Sequence, residues 1–191
     1  MEEVKNLGHL MLDLETMGKR AGCAIASIGA VEFDLNTGKL GREFYKVVNL
    51  QSCLDVGLVI QASTLYWWLG QSDKARKAIC APSDSIQIVL EKLTSFFHTL
   101  GDFQIWGDGV RFDVGILEAA YYAIGRGEIL PWYFRNERDV RTLVSFKSEI
   151  KTNAVFTGIL HNPIDDCKHQ IKYCHEIWHK FNGYTDDINK K

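Results

Sequence analysis

The stretch His9-Leu-Met-Leu-Asp13-Leu-Glu15-Thr16-Met17-Gly18 constrains the fold more than any other part of the chain. Leu10, Met11, Leu12 and Leu14 make an apolar run short enough for a buried strand. Side chains on a strand alternate faces, so Asp13 and Glu15, two residues apart, point the same way. Two anions held side by side repel unless a proton or a cation sits between them. A hard divalent cation with oxygen ligands meets that need. A strand end reaching water would meet it as well, so the pair alone does not decide.

The 191 residues are enough for one domain with a proper core, and we expect residues 1–191 to form a single domain. An apolar fraction of 46% and a charged fraction of 24% describe an ordinary soluble globule. The net charge of −2 argues against tight nonspecific duplex binding but excludes no partner, since local Arg, Lys or metal can neutralise phosphate. No apolar run approaches membrane-spanning length. Met1-Glu-Glu-Val-Lys-Asn lacks an apolar signal core, which predicts a cytoplasmic protein. The five cysteines form no CxxC pair and predict buried thiols in a reducing compartment.

Along the chain, residues 24–33 and 44–48 read as second and third strands, close enough to the first for an antiparallel meander. Asp34 to Gly38 is the turn between them, and loop residues follow to Gln61. Ser63 or Thr64, then Asp73, then Ser83 are the expected caps of three helices. The third carries Ile86, Val89, Leu90, Leu93, Phe96, Phe97 and Leu100 on one face. Phe103 to Trp106 is a fourth strand, residues 112–124 a helix, and Asn136 to Asp139 leads into a short helix ending at Phe146. Pro163, after an Asn162 cap, starts a last helix to about Phe181 with the stripe Ile164, Cys167, Ile171, Cys174, Ile177 or Trp178, and Phe181. His169, His175 and His179 fall off that stripe and read as solvent-facing. Three strands followed by alternating helix and strand imply one mixed sheet with helices packed on it.

Two further clusters carry acids. In Trp106-Gly-Asp-Gly-Val-Arg-Phe112-Asp113, a strand ends at glycines and Asp113 opens a helix, where the positive end of the helix dipole favours its carboxylate. In His161-Asn-Pro-Ile-Asp165-Asp166, Asp166 lies in the first turn of the last helix and His161 just before it. Asp165 reads as a helix-start acid and no more. Arg111, Arg138 and Arg141 are candidate phosphate contacts, and Arg138-Asp139 reads equally well as a structural ion pair. Trp67 and Trp68 are suited to stacking on bases, but a core or a subunit interface is the reading preferred for them.

The order Asp13, Glu15, Asp113, His161, Asp166 resembles the DEDD superfamily of 3′–5′ exonucleases, in its DEDDh subgroup with a His five residues before the final Asp. Leu12-Asp-Leu-Glu-Thr-Met-Gly18, Trp106-Gly-x-Gly with Phe112-Asp113, and Arg138-Asp-Val-Arg-Thr142 look most like the phage DexA-type exonucleases and their bacterial relatives. The resemblance implies a ribonuclease H-like α/β fold, with a mixed, mostly five-stranded sheet flanked by helices and its first three strands antiparallel. It implies that Asp13, Glu15, Asp113 and Asp166 hold two Mg²⁺ or Mn²⁺ ions and that His161 is the general base. It implies that Thr16, Met17 and Gly18 grip the terminal nucleotide, with Met17 either an apolar wedge or a core residue, and that Phe112 joins them. Asp108 stands where relatives often carry Asn, and no role is transferred to it. Four acids without a Cys or His cluster suit Mg²⁺ or Mn²⁺ better than Zn²⁺.

The expected activity is therefore hydrolysis of single-stranded DNA or RNA, or both, from a free 3′ end to nucleoside 5′-monophosphates. An RNA-specific enzyme like ribonuclease T or oligoribonuclease is the runner-up, and a non-catalytic nucleic-acid adaptor with the same fold is the rival. The partner is a single strand with a free 3′ end, with room left for a homodimer.

Overall fold

The computed structural model describes residues 6–183, so the reading of the extreme N-terminus lies outside the described residues. Three strands come first: β1 (His9–Thr16), β2 (Ile25–Phe33) and β3 (Leu40–Val47). The helices α1 (Leu50–Asp55), α2 (Ala62–Leu69), α3 (Asp73–Ile79) and α4 (Ile86–Leu100) follow. Next are β4 (Gln104–Gly107), α5 (Val110–Ala123), β5 (Glu137–Asp139), α6 (Val140–Ser145), α7 (Ser148–Asn153) and α8 (Pro163–Phe181). The strands form one sheet in the order β3-β2-β1-β4-β5. β1, β2 and β3 pair antiparallel, whereas β4 runs parallel to β1, and β5 parallel to β4.

Alternation along β1 feeds two cores. Leu10, Leu12 and Leu14 pack with Leu90 and Leu93 of α4 and with Ile116 and Leu117 of α5. Met11 packs on the opposite face with Cys167, Ile171 and Cys174 of α8. The sheet is thus covered on both faces, and β2, buried along its whole length, shows no polar alternation. All five cysteines are free, and four of them are buried. No helix among the described residues is long and apolar enough to cross a membrane.

Several local expectations are corrected. The loop expected up to Gln61 contains α1, capped by Asn49, whose side chain accepts from Ser52 N. The caps of α2, α3 and α4 are Gln61, Ser72 and Ser85, each lying outside the first turn that the expected caps occupy or just beyond Ser83. Ser72 and Ser85 accept from Ala75 N and Ile88 N, satisfying otherwise orphaned donors. His175 and His179 do not simply face solvent. Their rings lie 3.0 and 2.8 Å from the Leu35 and Asn36 carbonyls, fastening α8 to the turn between β2 and β3.

Candidate active site

β1 and β4 run parallel and end at the same edge of the sheet. Residues at the carboxyl ends of such strands, and at the start of the following helix, converge at that edge. Asp13 and Glu15 stand near the end of β1, and Asp113 lies in the first turn of α5, just after β4. Two glycines let the helices close in. Gly29 pairs with Asp13 across β2, and a Cβ there would lie 2.4 Å from Pro163 Cβ, so α8 can begin directly against the sheet beside Asp13. Gly107 pairs with Leu12, and its Cβ would lie 3.0 Å from Asp113 Cβ. Any larger residue at either position would push an acid-bearing helix away from β1.

The cleft is about 560 Å³ and is lined by Asp13, Glu15, His161 and Asp166 among others. Glu15, His161 and Asp166 each offer a ligand atom within 4.8 Å of the others. His161 Nδ1 lies 3.9 Å from Glu15 Oε1. Asp113 is only 3% exposed and sits behind the cleft wall, its Oδ1 accepting from Leu14 N at 3.3 Å. The four acids are thus gathered at one edge, but not equally presented. Oxygen donors with one imidazole suit a hard divalent cation, and so does the charge they would otherwise leave unbalanced.

Electrostatics carry the same message. Burial, then the nearby Asp13 and Asp166 charges, push Glu15 up to about 9. Asp13 is raised to about 7 by burial and by Asp166, against a hydrogen bond from Gln170. Asp166 is raised to about 6, mainly by burial. Asp113 is also raised, by burial and then by Asp13. Burial lowers His161, which favours its neutral, proton-accepting form at neutral pH.

Raised carboxyl pKa values mean that the folded chain holds protons that the unfolded chain has already released. Without a divalent cation, stability therefore declines as pH rises from the ordinary carboxylate range through about 6, 7 and 9. A saturating divalent cation replaces those protons and flattens the decline. At a hundred times its Kd it contributes about 2.7 kcal/mol, or roughly 5–10 °C in Tm for a chain of this size. Calorimetric melts from pH 5 to 9, with chelator and with cation, check this; a metal-free Tm that climbs with pH would contradict it.

His161 adopts φ 64°, in the left-handed region, and is the one non-glycine residue with positive φ among those described. Such strain persists only where the surroundings hold it. Asn162 caps α8 through Ile164 N and Asp165 N, and Asp165 accepts from Ile159 N at 2.8 Å, tying down the loop that carries His161. The helix-start reading of Asp165 thus extends to anchoring this loop.

The remaining expected residues divide. Thr16, Gly18 and Phe112 line the cleft. Thr16 Oγ1 donates to Gly18 O at 2.7 Å, and a Cβ on Gly18 would lie 2.5 Å from Cys23 Cβ. Of the two readings of Met17, the burial favours the core: its side chain is 3% exposed and packs in the larger apolar cluster. Arg138 does not line the cleft; its guanidinium donates to the carbonyls of Arg135 and Glu137, both at 2.8 Å. Arg111 and Arg141 lie outside the cleft, in a chamber adjoining it.

Three cleft residues were not among the expected site residues. Gln170, one turn beyond Asp166 on α8, donates to Asp13 Oδ1 at 2.9 Å. The i, i+4 spacing from Asp166 was the available signal. Thr64 lines the cleft with a buried hydroxyl that has no hydrogen-bond partner among the described residues. Trp67, expected in a core or interface, instead stands 44% exposed in the cleft, its ring 4.9 Å from that of His161 in an edge-on arrangement. Trp68 does enter the core, and its Nε1 donates to Thr16 O at 2.9 Å. Adjacent helical positions face different ways, which separates the two rings.

The five-stranded mixed sheet, with acids and a histidine gathered at its carboxyl edge, has the ribonuclease H-like fold. The nuclease domain of 3′hExo, described as a DEDDh family member bound to rAMP, shares this fold (TM-score 0.62, 12% identity, 96% of this chain and 98% of that one). So does E. coli Exonuclease I in complex with a dA16 oligonucleotide (TM-score 0.66, 14% identity), of which this chain spans 41% while 92% of its own length is covered. An exodeoxyribonuclease of enterobacteria phage T4 is 27% identical over 194 residues, covering 84% of this chain and 85% of the phage protein. Residues 8–178 match the model of the 3′–5′ exoribonuclease Rv2179c-like domain, and the chain belongs to that family of 3′–5′ exonucleases.

Proposed function

We propose that the whole chain acts as one exonuclease domain that hydrolyses single-stranded nucleic acid from a free 3′ end and releases nucleoside 5′-monophosphates. The observation that carries this reading is the convergence of Glu15, His161 and Asp166 in one cleft beside Asp13. Asp13, Glu15, Asp113 and Asp166 would hold two Mg²⁺ or Mn²⁺ ions, which when bound supply charge stabilisation to the attacking and leaving oxygens of the displacement. His161 takes a proton from water as its oxygen bonds to the terminal phosphorus. The bond from phosphorus to the 3′ oxygen of the preceding nucleotide breaks, and that oxygen gains a proton. Burial of Glu15 and Asp113 keeps bulk water from screening the charges. Thr16, Gly18 and Phe112 line the cleft, which supports their contact with the terminal nucleotide. The free thiols support a reducing, cytosolic setting.

The exposed face of Trp67 supports stacking on a base. Trp67→Ala should raise KM about fivefold to a hundredfold, the worth of one stacked base, with a smaller fall in kcat. Trp67→Phe should restore most of the loss. Steady-state kinetics on a labelled strand separate the two constants, and an unchanged KM in Trp67→Ala would exclude stacking.

The family description refers to RNA and the phage relative's name to DNA, so both belong in the test of function. A circular single strand is compared with its linear form in Mg²⁺ or Mn²⁺, as DNA and as RNA. The linear strand should lose mononucleotides from its 3′ side while the circle survives. A circle cut as fast as the linear strand would make the protein an endonuclease, and saturable binding without product would make it an adaptor.

A further inference from the structure

Beside the acidic cleft lies a second chamber of about 690 Å³ whose walls carry Lys19, Arg20, Arg111 and Arg141 against a single acid, Glu118. The two cavities share Lys19 and Phe112 in their walls, so they adjoin. We propose that this chamber takes the phosphodiester backbone of the strand 5′ of the bond being hydrolysed, with Arg141 and Arg111 as phosphate ligands and Asp108 as the residue that positions Arg141. This rests on the exonuclease reading of the cleft and adds a path for the strand leaving it.

The geometry of Arg141 carries the proposal. Its Nε donates to Asp108 Oδ1 at 3.1 Å. Asp108 is itself held from the other side by Lys151 Nζ, at 3.1 Å from Oδ2. Arg141 lies across Gly109, where φ is 93° and a Cβ would be 2.9 Å from the guanidinium carbon. The absent side chain leaves the guanidinium room to lie over the backbone at the start of α5. With Nε occupied, the two terminal nitrogens remain for a ligand, and the side chain is 67% exposed. A planar fork fixed at one corner suits a bidentate phosphate contact. Lys19, Arg20 and Arg111 make no ion pair among the described residues, although the chain as a whole has a net charge of −2. An array of unpaired cations opening onto an acidic cleft fits a polyanion whose terminal link alone enters the acids. This also assigns Asp108 a function that does not require it to bind metal.

The test is a length series, from dinucleotide to decanucleotide, on the full chain. For the wild type kcat/KM should rise with length. In Arg141→Gln and Arg111→Gln the ratio of decanucleotide to dinucleotide kcat/KM should fall about tenfold or more, the worth of a charge-assisted hydrogen bond. Asp108→Asn should lower that ratio less, mainly through KM. In chelator, where nothing is hydrolysed, each Arg variant should reduce the slope of log binding constant against log salt for a decanucleotide by about 0.7. Glu118→Gln should tighten decanucleotide binding, a gain that misfolding does not imitate. Equal wild-type efficiency at all lengths, or unchanged ratios and salt slopes in the Arg variants, would overturn the chamber. A wild type that binds with these slopes but hydrolyses no strand would sink the exonuclease reading and leave the chamber standing.

Discussion

Asp13→Ala should lower turnover by about a thousandfold or more, the scale on which fixed electrostatic anchors act in catalysis, while the fold survives. Asp13 stands at the junction of the cluster. Its charge raises both Glu15 and Asp113, and it receives the Gln170 amide. Removing it unbalances cation binding by the other acids. It also removes a repelling charge, so the metal-free variant should melt higher than the wild type above pH 7. Each kcal/mol of relief corresponds to about 2–4 °C for a chain of this length. Kinetics in Mg²⁺ and in Mn²⁺, with calorimetric melts in chelator, read both effects. Near wild-type turnover would take Asp13 out of the catalytic set, and a lower metal-free Tm would show that its charge is compensated.

His161→Ala should lower kcat about a hundredfold to ten-thousandfold, as loss of a general base does, and should leave the cation-induced rise in Tm in place. His161 lies near enough to Glu15 and Asp166 to be a ligand, so the melt decides between two roles. Loss of the cation-induced rise would make it a ligand. In the wild type, the acid limb of the rate profile due to His161 should lie below the ordinary imidazole value, because burial lowers its pKa. That limb should vanish in the variant. Proton uptake by His161 falls as pH rises through that value, so the rate climbs through it and then levels.

The catalytic candidates were legible because their signals are local. Alternation on β1 places Asp13 and Glu15 on one face, Asp113 opens α5, and Asn162-Pro163 starts α8 just after His161. Periodicity likewise marks the buried faces of α4 and α8, although Phe181, expected on the stripe, is 58% exposed at the helix end. The capping residues were displaced by one or two positions, because several Ser, Thr and Asp residues near a helix start compete and packing selects among them. β5 was harder still: three residues, Glu137–Asp139, form a strand only because β4 offers a parallel edge.

What the sequence by itself determined is the set of acids, their order along the chain, the meander of the first three strands and the helix that carries Asp166. What only the tertiary structure decided is which side chains the cleft receives. Met17 and Trp67 are both large and apolar, yet one is enclosed in the core and the other borders His161. Their hydrophobicity rewards burial in either place, so the outcome depends on which surfaces arrive nearby. The same holds for Gln170 and Asp108, whose partners Asp13, Arg141 and Lys151 come from distant parts of the chain. It holds also for Gly29 and Gly107, whose missing side chains matter only once α8 and α5 have approached the sheet. Periodicity and capping act within a few residues, whereas a hydrogen bond such as that from Gln170 to Asp13, 157 residues apart, exists only after the chain has packed.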